Sequence, residues 1–169
     1  MGARGVGWVV VGVQILLLGL MVVLPRGSDW PTPAWVELLS WVIVATGIVI
    51  AVAAALGLGR SLTPNPVPRA SGQLVTDGLY RFVRHPIYTG ALLLVVGLAL
   101  RSGSVATAAA AAATIVFFSA KARVEERHLA TRFAGYNEYA AATPRFFPRL
   151  SGHAAAGKAR RSPRPRRRP

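Results

Sequence analysis

The chain has no cysteine among its 169 residues. A disulfide framework, a thiolate nucleophile and a thiolate metal site are therefore all excluded. Acidic residues are also scarce, since six Asp and Glu stand against twenty Lys and Arg and give a formal charge of +14. Seven of the basic residues lie between Lys158 and Arg168, and most of the others flank apolar segments. The charge is therefore not, by itself, a sign of nucleic-acid binding.

Charged residues make up only 15% of the chain and hydrophobic residues 53%, a composition too apolar for an ordinary soluble domain. Two runs, about 6-24 and 35-58, contain no Lys or Arg and are long enough, at ~1.5 Å per residue, to cross a ~30 Å hydrocarbon core. Both predict spanning helices. The first run also has a signal peptide as an alternative interpretation, because Arg4 precedes it. An uncleaved helix is favoured, because no A-x-A-like site follows and the run exceeds the roughly 7–15 apolar residues of a signal peptide.

Two shorter apolar segments, about 87-100 and 105-120, are separated by Arg101-Ser-Gly-Ser104. They predict a short helical hairpin packed against the longer pair, and the small side chains of Ala106 to Ala113 favour close helix packing. The second segment continues as a charged amphipathic helix to about residue 132. The fold class predicted is all-α: a polytopic membrane protein with two long transmembrane helices, the short hairpin, a cytoplasmic helical extension and a C-terminal segment at the site.

One integral membrane domain is predicted over residues 1-150, followed by a disordered basic tail over 151-169. The plainest partner of the tail is the anionic lipid headgroup. No nucleic-acid partner is expected, because aromatic residues do not alternate with the basic ones. Basic residues concentrate in the central loop, whose prolines between Thr63 and Pro68 predict an extended connector, and after Ala120. Both termini and this loop are therefore expected in the cytoplasm, with the protein in a bacterial inner membrane.

That topology places two polar motifs on the same side of the membrane: Arg84-His85-Pro86-Ile87-Tyr88-Thr89-Gly90 and Glu125-Glu126. Pro86 suits the first turn of a helix, so His85 becomes the helix-start residue, where unpaired N–H groups favour an anion. The alternative is that the basic residues only anchor the helix at the headgroups. The two glutamates are adjacent and point roughly 100° apart, so they cannot chelate one metal together, and no metal site is predicted. Their alternative role is pairing with Lys121, Arg123 or Arg127 on a solvated helix.

Four patterns together resemble the isoprenylcysteine carboxyl methyltransferase family and its bacterial relatives, which are also similar to phospholipid methyltransferases. They are Arg84-His85-Pro86-x-Tyr88-x-Gly90, Glu125-Glu126-x-x-Leu129-x-x-x-Phe133, Tyr136-x-x-Tyr139 and Pro144-Arg145-Phe146-x-Pro148. The resemblance implies that the C-terminal half binds S-adenosylmethionine on the cytoplasmic side. It implies cofactor binding by Arg84, His85, Tyr88, Gly90, Glu125, Glu126, Tyr136 and Tyr139, and catalytic roles for His85 and Arg145.

The chain departs from the family pattern at Phe133-Ala134-Gly135-Tyr136, which is one residue shorter, and at Thr143. These differences bear on the acceptor side more than on cofactor binding. The function expected is methyl transfer at the membrane to a hydrophobic, lipid-like or prenyl-like acceptor, with carboxyl or hydroxyl O-methylation favoured. A non-catalytic membrane scaffold or carrier is the alternative. A nicotinamide-dependent reductase ranks below methyl transfer, because the chain is short for one and has no Rossmann-type glycine fingerprint.

Overall fold

Helices form the regular structure of the described residues, which are 3–59 and 74–149 of a computed structural model. A 3-10 turn, Gly78–Arg81, precedes the third helix. The predicted connector between Thr63 and Pro68 and the predicted basic tail lie outside the described residues. The α-helices are α1 (Ala3–Val23), α2 (Ala34–Leu58), α3 (Pro86–Ser102), α4 (Val105–Arg132) and α5 (Tyr136–Ala142).

Two helices, α2 and α4, are long and apolar enough to cross a membrane, whereas the apolar part of α1, Gly7–Val23, and α3 are shorter. The outer surfaces of α1 and α2 expose large apolar side chains such as Ile15, Leu16 and Leu56. Such surfaces suit contact with lipid tails, which do not penalise exposed apolar groups as water does. The prediction of an all-α membrane protein is confirmed.

Helix α3 lies in contact with α1, α2 and α4, and its closest approach is to α2. A Cβ atom on Gly47 would lie 2.6 Å from the carbonyl oxygen of Gly90, and one on Gly97 would lie 2.8 Å from that of Ser40. Glycine is thus required for these two helices to come together. The predicted close packing of the alanine run is only partly present, because Ala110 and Ala111 are buried while the other alanines of the run are mostly exposed.

The end of the bundle where α3 turns into α4 is held by a polar clasp, formed by Arg26, Asp29, Glu37 and Arg101. Arg26 donates to a carboxylate oxygen of Glu37 at 2.8 Å, and Arg101 lies 3.4 Å from the same oxygen. Asp29 accepts a hydrogen bond from the first amide of α4, that of Val105, at 2.7 Å. The clasp ties the α1–α2 loop to the α3–α4 turn. The start of α3 and the end of α4 therefore meet at the opposite end of the bundle.

Candidate functional site

His85 caps the N-terminus of α3, as predicted, with Pro86 in the first helical turn. Its carbonyl oxygen accepts from the amide of Thr89 at 2.9 Å, which is the first hydrogen bond of the helix. Proline at this position breaks no helical hydrogen bond, because its missing N–H would have had no partner within the helix. The imidazole is buried, with 7% of the side chain exposed. It therefore points into the protein and not to the headgroups.

Glu126, on α4, is the centre of the site. Its Oε1 accepts from Arg84 Nε at 3.0 Å and lies 3.1 Å from His85 Nε2. Arg145 closes a two-point interaction, donating from Nε to Oε1 at 2.9 Å and from Nη2 to Oε2 at 2.6 Å. Such bidentate guanidinium–carboxylate pairs fix geometry as well as charge. The hydrogen bonds with Glu126 raise the pKa of Arg145 above its ordinary value, so Arg145 stays cationic.

Glu125 has a different partner, in keeping with the angle between adjacent helical residues. Tyr88 donates its hydroxyl hydrogen to Glu125 Oε2 at 2.7 Å. The same carboxylate oxygen lies 3.9 Å from His85 Nδ1, so the imidazole sits between the two glutamates. The alternative in which both glutamates pair with cations of their own helix is wrong for Glu126, whose partners come from other segments.

Aromatic rings complete one wall of the site. The His85 and Tyr88 rings stack in nearly parallel planes with centroids 5.2 Å apart. The ring centroids of Tyr88 and Phe118, on α4, are 5.1 Å apart, and those of Phe146 and His85 are 6.1 Å apart. Aromatic packing of this kind restricts ring rotation and excludes water from around the imidazole.

The segment after α5, residues 144–146, lies across the start of α3 and forms a roof over it. The amide of Arg84 donates to the carbonyl of Pro144 at 2.8 Å, and that of His85 donates to the carbonyl of Arg145 at 3.0 Å. Thr89 adds a side-chain hydrogen bond to the carbonyl of Phe146 at 2.6 Å. The two backbone bonds use amides at the start of α3 that have no partner within the helix. The hydrogen bonds between this segment and α3 also place Arg145 within reach of Glu126.

The two predicted tyrosines of α5 have different surroundings. Tyr139 donates to the carbonyl of Tyr80 at 2.6 Å and so holds the 3-10 turn, and burial raises the pKa of Tyr139 to about 12. Tyr136 is buried, with 3% exposed, and burial followed by the charge of Glu126 raises its pKa. Among the described residues its hydroxyl has no hydrogen-bond partner. An unsatisfied buried hydroxyl beside a charged cluster is available to a ligand.

Gly90 does not join this cluster. The space that its missing side chain leaves is occupied by α2, where Ala51 would lie 2.7 Å from an added Cβ atom. Arg84 has a structural role beside its contact with Glu126, because it also donates to the carbonyls of Ala140 and Thr143 and so holds the end of α5. Cofactor binding by Gly90 and Arg84 stays a prediction.

Residues that the sequence did not single out for the site also lie next to it. Thr89 lies within the Arg84 to Gly90 pattern and Phe146 within the Pro144 to Pro148 pattern. Their places in these patterns are the sequence signal for both. The sequence indicates Lys121 only as a partner for the glutamates, yet Lys121 is buried, with 5% exposed, and donates to Gln14 of α1. A lysine four residues before Glu125, next to an apolar run, is the sequence signal for it.

Comparison with known proteins identifies a family and three similar proteins. A family model described as phospholipid methyltransferase matches residues 35–135. The cobalt-zinc-cadmium resistance protein CzcN of Cupriavidus metallidurans is 45% identical over 84 residues, which are 49% of this chain and 39% of that protein. The nickel-cobalt-cadmium resistance protein NccN of Alcaligenes xylosoxydans xylosoxydans is 32% identical over 145 residues, 85% of this chain and 64% of that protein.

A plant protein is also similar: the protein-S-isoprenylcysteine O-methyltransferase B of Arabidopsis thaliana is 30% identical over 118 residues, 68% of this chain and 60% of that protein. The chain thus spans less than two thirds of the length of each of these three relatives. The part matched by the family model contains α2, α3 and α4, with both polar motifs of the site.

Proposed function

Because the chain belongs to the phospholipid methyltransferase family, we propose that it is an S-adenosylmethionine-dependent methyltransferase acting at the membrane on a hydrophobic acceptor. A lipid-like or prenyl-like acceptor is favoured, with transfer to a carboxyl or hydroxyl oxygen. The observation that supports the proposal best is the convergence of Arg84, His85 and Arg145 on Glu126. A carrier or scaffold needs no such buried, mutually oriented set of charges at the end of its helices.

The residues present fit the methyl donor, which carries a carboxylate, an ammonium group, ribose hydroxyls and an adenine ring. Glu125 and Glu126 supply acceptors for its ammonium or hydroxyls, and Arg145 supplies donors for its carboxylate, while His85 holds Glu126 in place. The buried hydroxyl of Tyr136, without a partner among the described residues, is a further polar group for this ligand. Tyr88 offers an aromatic face for the adenine. These are the residues that would hold the donor.

When bound, the donor supplies a methyl group on a positively charged sulfur, which is ready for displacement by a nucleophile. The work left to the protein is to hold the acceptor in line and to keep water out. A carboxylate acceptor is already nucleophilic at neutral pH. For a phenol or enol acceptor, His85 is the nearest base: its Nε2 faces a carboxylate that only accepts, so in the neutral ring Nδ1 is the basic nitrogen.

The protein is a membrane protein, and its partners follow from that setting. We propose that the acceptor reaches the site laterally through the bilayer while the water-soluble donor enters from the cytoplasm. The inner membrane, the cytoplasmic position of both termini and the contact of the basic tail with anionic headgroups are parts of this proposal. They are supported by the distribution of basic residues along the chain.

The proposal is tested by titrating the purified protein with S-adenosylhomocysteine, the donor after methyl loss, in detergent. We expect Glu126→Gln and His85→Ala to weaken binding by about 10- to 100-fold, because hydrogen bonds to charged groups contribute roughly 1.5–3 kcal/mol each. Arg123→Gln, on the exposed face of the same helix, is the matched control and should bind as the wild type does.

Unchanged affinity in both site variants would contradict the proposed site. Absence of binding by the wild-type protein would favour the scaffold or carrier. Incubation of membranes with labelled donor, followed by identification of the lipid-soluble product, then establishes the acceptor and the atom that is methylated. Product formation that persists in both variants would contradict the assigned roles.

A further inference from the structure

Lys121 and Gln14 form a polar pair between α4 and α1, inside the apolar part of the bundle. The ammonium group of Lys121 donates to the side-chain oxygen of Gln14, and only 5% of Lys121 is exposed. Gln14 is the only amide side chain in the apolar run Gly7–Val23. Ionisable groups are costly at membrane depth and, where they occur, commonly line a substrate or ion path. The pair therefore calls for a functional explanation.

The pair is next to the site just described. Lys121 Nζ lies 5.4 Å from the centre of the Tyr88 ring, and Tyr88 in turn donates to Glu125. Lys121 precedes Glu125 by four residues on one helix, so it lies about 6 Å, one helical turn, further into the apolar part of α4. The ammonium is thus on the membrane side of the Tyr88–Glu125 pair, where a hydrophobic acceptor would arrive.

The charges of the site favour an anion at this position. Three cationic side chains, of Arg84, Arg145 and Lys121, accompany the two carboxylates of Glu125 and Glu126, which gives a formal net charge of +1 when His85 is neutral. The methyl donor adds a further net positive charge through its sulfonium. A neutral acceptor leaves this excess positive charge in place, whereas an anionic head reduces it. The reduction is favourable because unbalanced charge is costly in a region of low dielectric.

The pair also lies partly outside the matched core of the family. Residues 35–135 match the family model, so Lys121 is within the match while Gln14, on α1, precedes it. Helix α1 packs against α4 and to a lesser extent α3, and it contributes no side chain to the Glu126 cluster among the described residues. Because Gln14 lies outside the part that matches the family model, the pair suits selection of the acceptor and not binding of the donor that the family shares.

We propose that Lys121, oriented by Gln14, is the specificity-determining residue that binds the anionic head of the hydrophobic acceptor. The inference rests on the proposed function. For a carboxylate head, one oxygen gains the methyl group, the carbon–sulfur bond breaks and its electron pair stays on sulfur. No proton is transferred in this step. The neutral ester that forms no longer attracts the ammonium, which favours its return to the bilayer.

The test compares two amphiphiles with the same tail, hexadecanoate and hexadecanol, binding to the protein in phosphatidylcholine nanodiscs. Each is titrated with and without S-adenosylhomocysteine, and partition into protein-free nanodiscs is subtracted. We expect the wild type to bind the anion about tenfold more tightly than the alcohol. Lys121→Met should remove this preference while still binding S-adenosylhomocysteine measurably, which shows that it folds, and Lys121→Arg should retain the preference.

Arg123→Met, which removes a cation from the exposed face of the same helix, is the matched control and should keep the preference. Gln14→Leu should reduce the preference and serves as the second variant if Lys121→Met fails to fold. Equal affinities in the wild type, or a preference retained in Lys121→Met, overturn the inference. Loss of S-adenosylhomocysteine binding by the wild type itself would instead overturn the proposed function, so the two failures are distinguishable.

Discussion

Glu126 joins three parts of the chain through one carboxylate. Its partners come from the start of α3 and from the segment after α5, at positions 41 or 42 residues before it and 19 residues after it. The sequence predicted that at least one of the two glutamates has a ligand role, and that they point in different directions. It did not predict which glutamate takes which partner, because that depends on how α4 is rotated about its axis.

The rotation of α4 is fixed by buried residues that the sequence does not distinguish well. Thr114, Phe118 and Ala122, spaced by four residues, are almost completely buried, and Glu126 continues the same row. The alanine run before them is apolar on every side, so it marks no inner face. Packing against α1 and α3 decides the rotation, and only the folded structure supplies it.

Replacement of Tyr88 by Phe tests the orientation of Glu125. The change removes the hydroxyl that donates to Glu125 but keeps the ring that stacks on His85. We expect S-adenosylhomocysteine to bind about tenfold more weakly, since a hydrogen bond to a charged group contributes roughly 1.5 kcal/mol or more. Calorimetric titration measures the change, and Thr131→Val, an exposed hydroxyl on α4, is the control. Wild-type affinity in Tyr88→Phe would remove Glu125 from the binding site.

At the scale of elements, hydrophobic runs predicted the helices well. The run predicted over 35-58 is observed as Ala34–Leu58, and the fourth helix, predicted over 105-132, is Val105–Arg132. Which helices pack against each other was harder to predict. The sequence indicated a tight α3–α4 hairpin, whereas the closest contact is between α2 and α3. Glycines mark a surface that permits close approach, but they do not indicate which helix will occupy it.

Replacement of Gly90 by Ala tests this contact. The added Cβ atom would lie 2.8 Å from that of Ala51, so α2 and α3 must move apart. We expect the free energy of unfolding to fall by about 1–3 kcal/mol, the usual cost of overpacking. The control is Gly12→Ala on α1, where nothing lies within 4 Å of the new atom. That variant should gain up to about 1 kcal/mol from helix propensity. Melting in detergent distinguishes the two, and equal shifts would contradict the packing argument.

At the scale of the whole molecule, the two ends of the bundle differ in chemistry. One end carries the polar clasp of Arg26, Asp29, Glu37 and Arg101, and the other carries the Glu126 cluster. The sequence predicted that both polar motifs share one end, which the structure confirms. It also predicted that this end faces the cytoplasm, from the distribution of arginines alone, and that orientation remains a prediction.

The absence of cysteine makes the orientation directly measurable, because one introduced cysteine is the only thiol in the chain. Ser28, beside the clasp, and Thr131, near the end of α4, are both exposed. We expect a membrane-impermeant maleimide to label Ser28→Cys in intact bacterial cells and to label Thr131→Cys only after permeabilisation. The reverse pattern would place the site on the outer side and contradict the proposed entry of the donor from the cytoplasm.

The backbone hydrogen bonds that join Pro144 and Arg145 to the start of α3 also set a time order during synthesis. The ribosome makes α3 and α4 before the segment after α5, so both glutamates are synthesised before the residues that cover them. Arg145 reaches Glu126 only when the chain beyond α5 has been released from the exit tunnel. A polypeptide that ends before Pro144 lacks these backbone hydrogen bonds and both hydrogen bonds from Arg145 to Glu126, so its cluster is incomplete.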